Sequence, residues 1–322
     1  MHLCVISRVS YNAARDVIFD NSAHYTERKL AKRSGGTRTI HEPSPHLKSL
    51  QAAIYRNCLS PVPVSPIAFA FEKGRNVASA ARQHIGARSM IQLDVSNFYG
   101  SIGSQKVYST FVAMGYPELL ALETSLICSV EHRVVLRGPA EDGYVYEPLD
   151  WGVLPQGSST SGKLSNLVCR DLDKVLQDVA LREGASVTRY ADDISFSMPR
   201  PMSRKKSERL LLELRQVLLS FDFAPNNKKT RVIPSAKEFK MLGLQIGQNK
   251  VWLDRRYKAR IQGHLHGLRK FGLRDHSSSR GFGSDFEFCA HIWGHYAYCF
   301  DVDPDFAASL RVALIDAGVP RI

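Results

Sequence analysis

The chain of 322 residues carries 43 Lys and Arg against 31 Asp and Glu, a net charge of +12, with 44% hydrophobic and 23% charged residues. That balance excludes wholesale disorder, collagen-like repetition and a small disulfide-framework protein, and the length allows two folded units or one domain with a large appendage. The positive excess favours a polyanionic partner. Six cysteines (Cys4, Cys58, Cys128, Cys169, Cys289, Cys299) form no CxxC pair, and no histidine cluster has zinc spacing, a pattern expected of reduced cytosolic thiols. Met1 to Arg8 meets charge too early for a signal peptide, and no window approaches the ~18 apolar residues of a membrane span. The expectation is a soluble, cytoplasmic protein with no membrane partner.

In chain order, the sequence predicts a loop at Pro61–Pro66, a strand at Met90–Asp94, and a helix from Ser104 with Val107, Phe111 and Met114 on one face. A longer single helix is predicted from about Ser161, with the stripe Leu164, Val168, Leu172, Val175 and Val179. A hairpin follows, Val187–Tyr190 with Ile194–Met198, whose second arm alternates Ile194, Phe196 and Met198 with Ser195 and Ser197 and whose tip is Ala191-Asp192-Asp193. A helix over Ser203–Leu219, a strand pair at Lys240–Ile246 and Lys250–Leu253, and a serine- and glycine-bearing loop at His276–Gly283 complete the reading. This order predicts an α+β protein with a split βαβ, ferredoxin-like sheet. From Val251 to Arg280, eight basic residues face only Asp254 and Asp275, a local charge of +6. Half of the net charge therefore sits in thirty residues, as a face for a polyanion would require.

Two adjacent aspartates at a hairpin tip repel one another unless a cation neutralises them. Magnesium prefers hard carboxylate oxygens and bridges to substrate phosphates, so Asp192 and Asp193 with a third carboxylate would make a phosphoryl-transfer site. Asp94, ending an apolar strand before Ser96-Asn97-Phe98-Tyr99-Gly100, is the candidate third ligand. The competing reading makes Asp94 a helix cap and the pair an ordinary polar turn.

Tyr190-Ala191-Asp192-Asp193, preceded by Asp94-Val95-Ser96-Asn97-Phe98-Tyr99 and by Leu154-Pro155-Gln156-Gly157, resembles the reverse transcriptase family at three motifs in the family's order. Lys32-Arg33-Ser34-Gly35-Gly36-Thr37-Arg38-Thr39-Ile40 is similar to the family's fingers motif, Asn226-Asn227-Lys228-Lys229-Thr230 to its lysine-bearing motif, and Met241-Leu242-Gly243-Leu244 to its primer-grip turn. Within the family the chain resembles the short retron enzymes, through Phe69-Ala70-Phe71-Glu72-Lys73-Gly74-Arg75 and His84-Ile85-Gly86-Ala87. It departs from them at Ala80, at Met241-Leu242-Gly243 and at Ser161-Gly162.

The resemblance implies a right-hand polymerase fold: fingers over residues 1–93, palm over 94–250 with a fingers-type insertion at about 100–150, and a helical thumb over 251–322. It implies RNA-directed DNA polymerase activity with two Mg²⁺ ions, Mn²⁺ being an alternative, at the catalytic residues Asp94, Asp192 and Asp193, with the Val95 carbonyl as a further ligand. Lys32 and Arg38 would hold the triphosphate. Tyr99 would lie beneath the sugar, Gln156 would contact nucleotide or template, and Lys229 would donate a proton to pyrophosphate. Arg255, Arg256, Lys258, Arg260, Arg269 and Lys270 would grip the duplex backbone. Implied partners are dNTPs, a cognate structured non-coding RNA, its RNA–DNA product (msDNA) and an accessory effector in antiphage defence. A nucleic-acid-binding scaffold with a polymerase fold, and a group II intron or diversity-generating enzyme, remain the alternatives.

Overall fold

The computed structural model describes residues 2–31, 35–131, 133–140 and 143–321. The chain begins with helices α1 (His2–Ser7) and α2 (Tyr11–Phe19) and a hairpin of β1 (Tyr25–Ala31) and β2 (Thr37–Pro43). Helices α3 (Pro45–Ile54) and α4 (Val77–Arg82) precede β3 (Ser89–Asp94), which α5 (Ser104–Ala113) and α6 (Glu118–Ile127) follow. A second hairpin, β4 (Arg133–Ala140) and β5 (Gly143–Asp150), leads to α7 (Ser161–Val168), α8 (Arg170–Glu183), β6 (Ser186–Tyr190) and β7 (Asp193–Met198). Then come α9 (Arg204–Ser220), β8 (Arg231–Ile233), β9 (Phe239–Met241), β10 (Leu244–Ile246), β11 (Val251–Leu253), α10 (Arg255–Ser279), α11 (Asp285–Val302) and α12 (Pro304–Asp316).

The backbone divides into two compact units, Met1–Arg75 with Ile91–Phe196 and Arg204–Val232, and Asn76–Met90 with Ser197–Ser203 and Ile233–Ile322. The first holds a four-stranded sheet in the order β6-β7-β3-β8. Ile91 and Leu93 of β3 and Ile194 and Phe196 of β7 are buried in it. Ser195 is buried as well, at 3% exposure. The alternation along this strand therefore marks two covered faces, rather than one wet and one dry.

Two helix expectations shift for local reasons. The apolar stripe beginning at Leu164 belongs to two helices, because Cys169 (φ −80°, ψ 7°) ends α7 and opens α8. Leu164, Leu172 and Val179 are its buried members, Val168 and Val175 are only half-buried, and the buried face also takes in Leu167 and Leu176. Met114 is the C-cap of α5 and not part of its buried face, and α8 stops at Gly184, whose φ of 62° is left-handed.

In the second unit β9, β10 and β11 form an antiparallel sheet, three strands where two were expected. Leu242 and Gly243, at φ 50° and 83°, make the two-residue turn that splits Lys240–Ile246 into β9 and β10. The predicted loop from His276 is helical as far as Ser279, with His276 and Ser277 buried. The break falls earlier, at Gly272 (φ 76°, ψ 174°), where α10 bends. Among the described residues, no helix is long and apolar enough to cross a membrane.

Candidate active site

Asp94 ends β3 with 4% of its surface exposed. Asn226 Nδ2 donates to its Oδ1 at 2.9 Å, and Lys229 Nζ to its Oδ2 at 2.7 Å. The backbone fastens the same neighbourhood. The Val95 amide donates to the Asp192 carbonyl (3.0 Å), the Ser96 amide to Ala224 (2.8 Å) and the Asn226 amide to the Asp94 carbonyl (2.7 Å). Ala191 turns at φ 57°, so Asp192 occupies the tip and Asp193 opens β7. The fold thus brings residue 94 to the tip at 192–193, about a hundred positions away.

The electrostatics are those of an undercompensated acidic site. Burial, followed by the charges of Asp192 and Asp94, pushes the Asp193 carboxyl up to about 6. Burial also raises Asp192, with Asp94 adding to it. The hydrogen bond to Asp94 leads the causes that raise Lys229, so that ammonium is firmly charged. One lysine beside three carboxylates leaves negative charge unpaired, and the side-chain donors are all hard oxygens. That donor set fits Mg²⁺, and Lys229 occupies the place of a cation on Asp94.

Asp94, Asp192, Asn226 and Lys229 line a cleft of about 1230 Å³ together with Val95, Tyr99, Arg38 and Gln156; Asp193, next to Asp192 at the start of β7, is not on its wall. Phe98, 5% exposed, packs against Phe223 (centroids 5.7 Å apart) and lines the cleft beside the more exposed Tyr99. Burial and the charge of Asp192 push its phenol up to about 12, so it stays neutral. The Gln156 carbonyl accepts from the His41 amide at 2.8 Å. Gly157 follows at φ 131°, where an added Cβ would sit 2.5 Å from the His41 carbonyl oxygen; only glycine permits this approach. Arg38 reaches the cleft from the exposed hairpin β1–β2, and Lys32 lies outside the described residues.

In the second unit Arg255, Arg256, Arg260, Arg269 and Lys270 are exposed along α10. Lys258 differs from them: its Nζ pairs with the buried Asp303 at 2.6 Å and lies 5.1 Å from the Phe306 ring. Asp303 also caps α12 and accepts from the Leu253 amide, so Lys258 is a structural pin. Trp293, Tyr296 and Tyr298 are half-buried within α11.

Sequence reasoning missed the support beneath the aspartates. Arg189, fully buried on β6, grips Asp173 of α8 in a bidentate pair (2.6 and 2.7 Å) and also donates to Asn166 Oδ1 (3.1 Å) and the Ala191 carbonyl (3.4 Å). Asn166 Nδ2 bonds the Ala70 carbonyl at 2.7 Å, and Lys163, 3% exposed, pairs with Glu72 at 2.7 and 2.9 Å. The arginine inside the predicted strand Val187–Tyr190 was the available signal, since a charge there demands a partner, though not one the sequence could name.

A profile described as reverse transcriptase (RNA-dependent DNA polymerase) matches residues 30–246. The retron Ec86 reverse transcriptase of Escherichia coli is 30% identical over 262 residues, covering 81% of this chain and 75% of that protein. The chain belongs to the retron-type reverse transcriptases. Members of this family are RNA-directed DNA polymerases. The retron Mx65 reverse transcriptase of Myxococcus xanthus is likewise 30% identical, over 89% of this chain but 63% of that longer relative. Among solved structures a telomerase from Candida albicans aligns with a TM-score of 0.52 at 11% identity, covering 91% of this chain and 63% of that one. That likeness concerns the fold alone. This retron-type reverse transcriptase shares the α+β polymerase architecture with it.

Proposed function

We propose that the protein copies part of a cognate structured non-coding RNA into single-stranded DNA, giving an msDNA product primed from a 2′-hydroxyl of that RNA, in a cytoplasmic antiphage defence system with an accessory effector. The convergence of Asp94 with Asp192 in one cleft, with Asp193 close enough to feel the charges of both, carries this reading. Strands that run second, third, first, fourth across the sheet have the split βαβ order of a ferredoxin-like palm, which supports assigning 94–250 to palm, 1–93 to fingers and the helical 251–322 to thumb.

Asp94, Asp192 and Asp193, with the Val95 carbonyl, would hold two Mg²⁺ ions, which when bound acidify the primer hydroxyl and stabilise pyrophosphate. The chain's own groups do the rest. Asn226 fixes one oxygen of Asp94 so that the carboxylate keeps its orientation. Lys229, held protonated beside Asp94, would serve the departing pyrophosphate as proton donor. Arg38, with Lys32, neutralises the triphosphate, and Gln156 meets the nucleotide or template. Tyr99, on the cleft wall, would crowd a 2′-hydroxyl and so favour deoxynucleotides. Exposed arginines of α10 grip phosphates without reading sequence.

Incorporation of dNTPs on an RNA template with Mg²⁺ tests the site: activity in the wild type and its loss in Asp192→Asn/Asp193→Asn is expected. Equal activity in that variant removes the site, and salt-sensitive RNA binding without cDNA favours the scaffold. Sequencing the nucleic acid that co-purifies, and probing it for a branch linkage, tests the msDNA reading.

A further inference from the structure

The wall of the same cleft carries a second set of ligating groups. Glu27 of β1 stands directly across from His41 of β2, and Glu131 approaches both from the segment before β4. One ligand atom from each lies within 4.8 Å of the others. All three line the cleft. His41 has only 12% of its side chain exposed, and both ring nitrogens are buried without a hydrogen-bond partner among the described residues. Burying both imidazole nitrogens without a partner is unfavourable, so the arrangement calls for a further group. Tyr25 packs its ring edge-on against His41 at 5.9 Å and limits the imidazole's freedom to turn elsewhere. The neighbouring Glu42 is already paired with Arg28 at 2.8 Å, whereas Glu27 has His41 as its ion partner at only 3.9 Å. Two glutamates would otherwise face a cleft whose proposed substrate is a triphosphate, and like charges there oppose binding.

We propose that Glu27, His41 and Glu131 form a divalent-cation site separate from the aspartates. One imidazole and two carboxylates suit a first-row transition ion such as Mn²⁺ or Zn²⁺ better than Mg²⁺, which favours oxygen ligands throughout. The bound ion ties the β1–β2 hairpin to the segment before β4 and turns an acidic stretch of the cleft wall into one that tolerates phosphate. Its existence does not depend on the polymerase reading.

The test counts ions, with Mn²⁺ as the probe and electron paramagnetic resonance as the readout. In Asp94→Asn/Asp192→Asn/Asp193→Asn, which removes the acidic site, about one tightly bound Mn²⁺ per chain is expected to remain. Adding His41→Gln, or separately the surface pair Glu27→Gln/Glu131→Gln, lowers its affinity by at least ~10-fold. Thermal melting of each variant shows whether the fold is kept, and the exposed glutamates make the second variant the safer one. No bound Mn²⁺ in the Asn variant, or an ion undisturbed by losing Glu27 and Glu131, overturns the site. Neither result bears on whether the enzyme makes cDNA.

Discussion

At the scale of single residues, the aspartates gain their chemistry from being brought together against their own repulsion. The raised Asp193 carboxyl means that the folded protein holds a proton more tightly than the unfolded chain, so this group costs stability as pH rises from about 3.8 through about 6. Asp193→Asn should therefore raise the melting temperature of the metal-free protein at pH 7.5 by about 2–4 °C while reducing dNTP incorporation. Saturating Mg²⁺ should stabilise the wild type more than this variant; an equal shift in both would separate the residue from the metal. Arg189 behaves in the opposite way. Replacing it by Met strands Asp173, which is fully buried, and should cost about 3–5 kcal/mol, read as a lowered denaturation midpoint. The aspartate turn was legible because Tyr190-Ala191-Asp192-Asp193 is contiguous. The Arg189–Asp173 pair was not, because a partner sixteen residues away on another element leaves no local pattern.

At the scale of elements, periodicity located α5, the α7–α8 stretch and α9, but neither the break between α7 and α8 nor the other helices of the chain. The stripe from Leu164 continues at i, i+4 spacing through Cys169, so nothing in the pattern records that one helix ends and another begins there. Serines at 277–279 read as loop because they favour turns in isolation, yet burial of His276 and Ser277 holds them helical. Lys258 looked like its basic neighbours until Asp303, far along the chain, was found beneath it. The histidines of the second unit add a pH response. Burial lowers His84, His264 and His295 to about 4, and lowers His276 as well; the charges of His276, Arg280, His291 and His295 add to the effect at His264. Each stays neutral in the fold, whereas the unfolded chain takes up protons below about 6.5, so their stability is complete above that pH and drains as pH falls toward 4. The melting temperature should drop by about 5 °C or more between pH 7 and pH 5, and His84→Asn/His264→Asn should flatten the drop. A flat profile in the wild type would contradict the buried placement.

At the scale of the whole molecule, the charge of +12 is the property that any polyanion meets first. Phosphate contacts release counterions, so the logarithm of the affinity falls linearly with the logarithm of salt, with a slope of about −0.9 per phosphate neutralised on a duplex of DNA. If the exposed arginines of α10 make those contacts, Arg255→Ala/Arg256→Ala/Arg269→Ala should shallow the slope by about 2–3 for an RNA–DNA duplex and weaken binding most at low salt. Asp192→Asn, which alters no arginine, should leave that slope as it was while abolishing extension. Lys258→Ala should act differently again: with its ammonium committed to Asp303, its loss lowers the melting temperature and leaves the slope unchanged. Measuring binding from 50 to 300 mM salt for the four proteins separates the grip from the chemistry. An unchanged slope in the triple arginine variant would move the nucleic-acid contacts away from this helix and onto other parts of the basic surface.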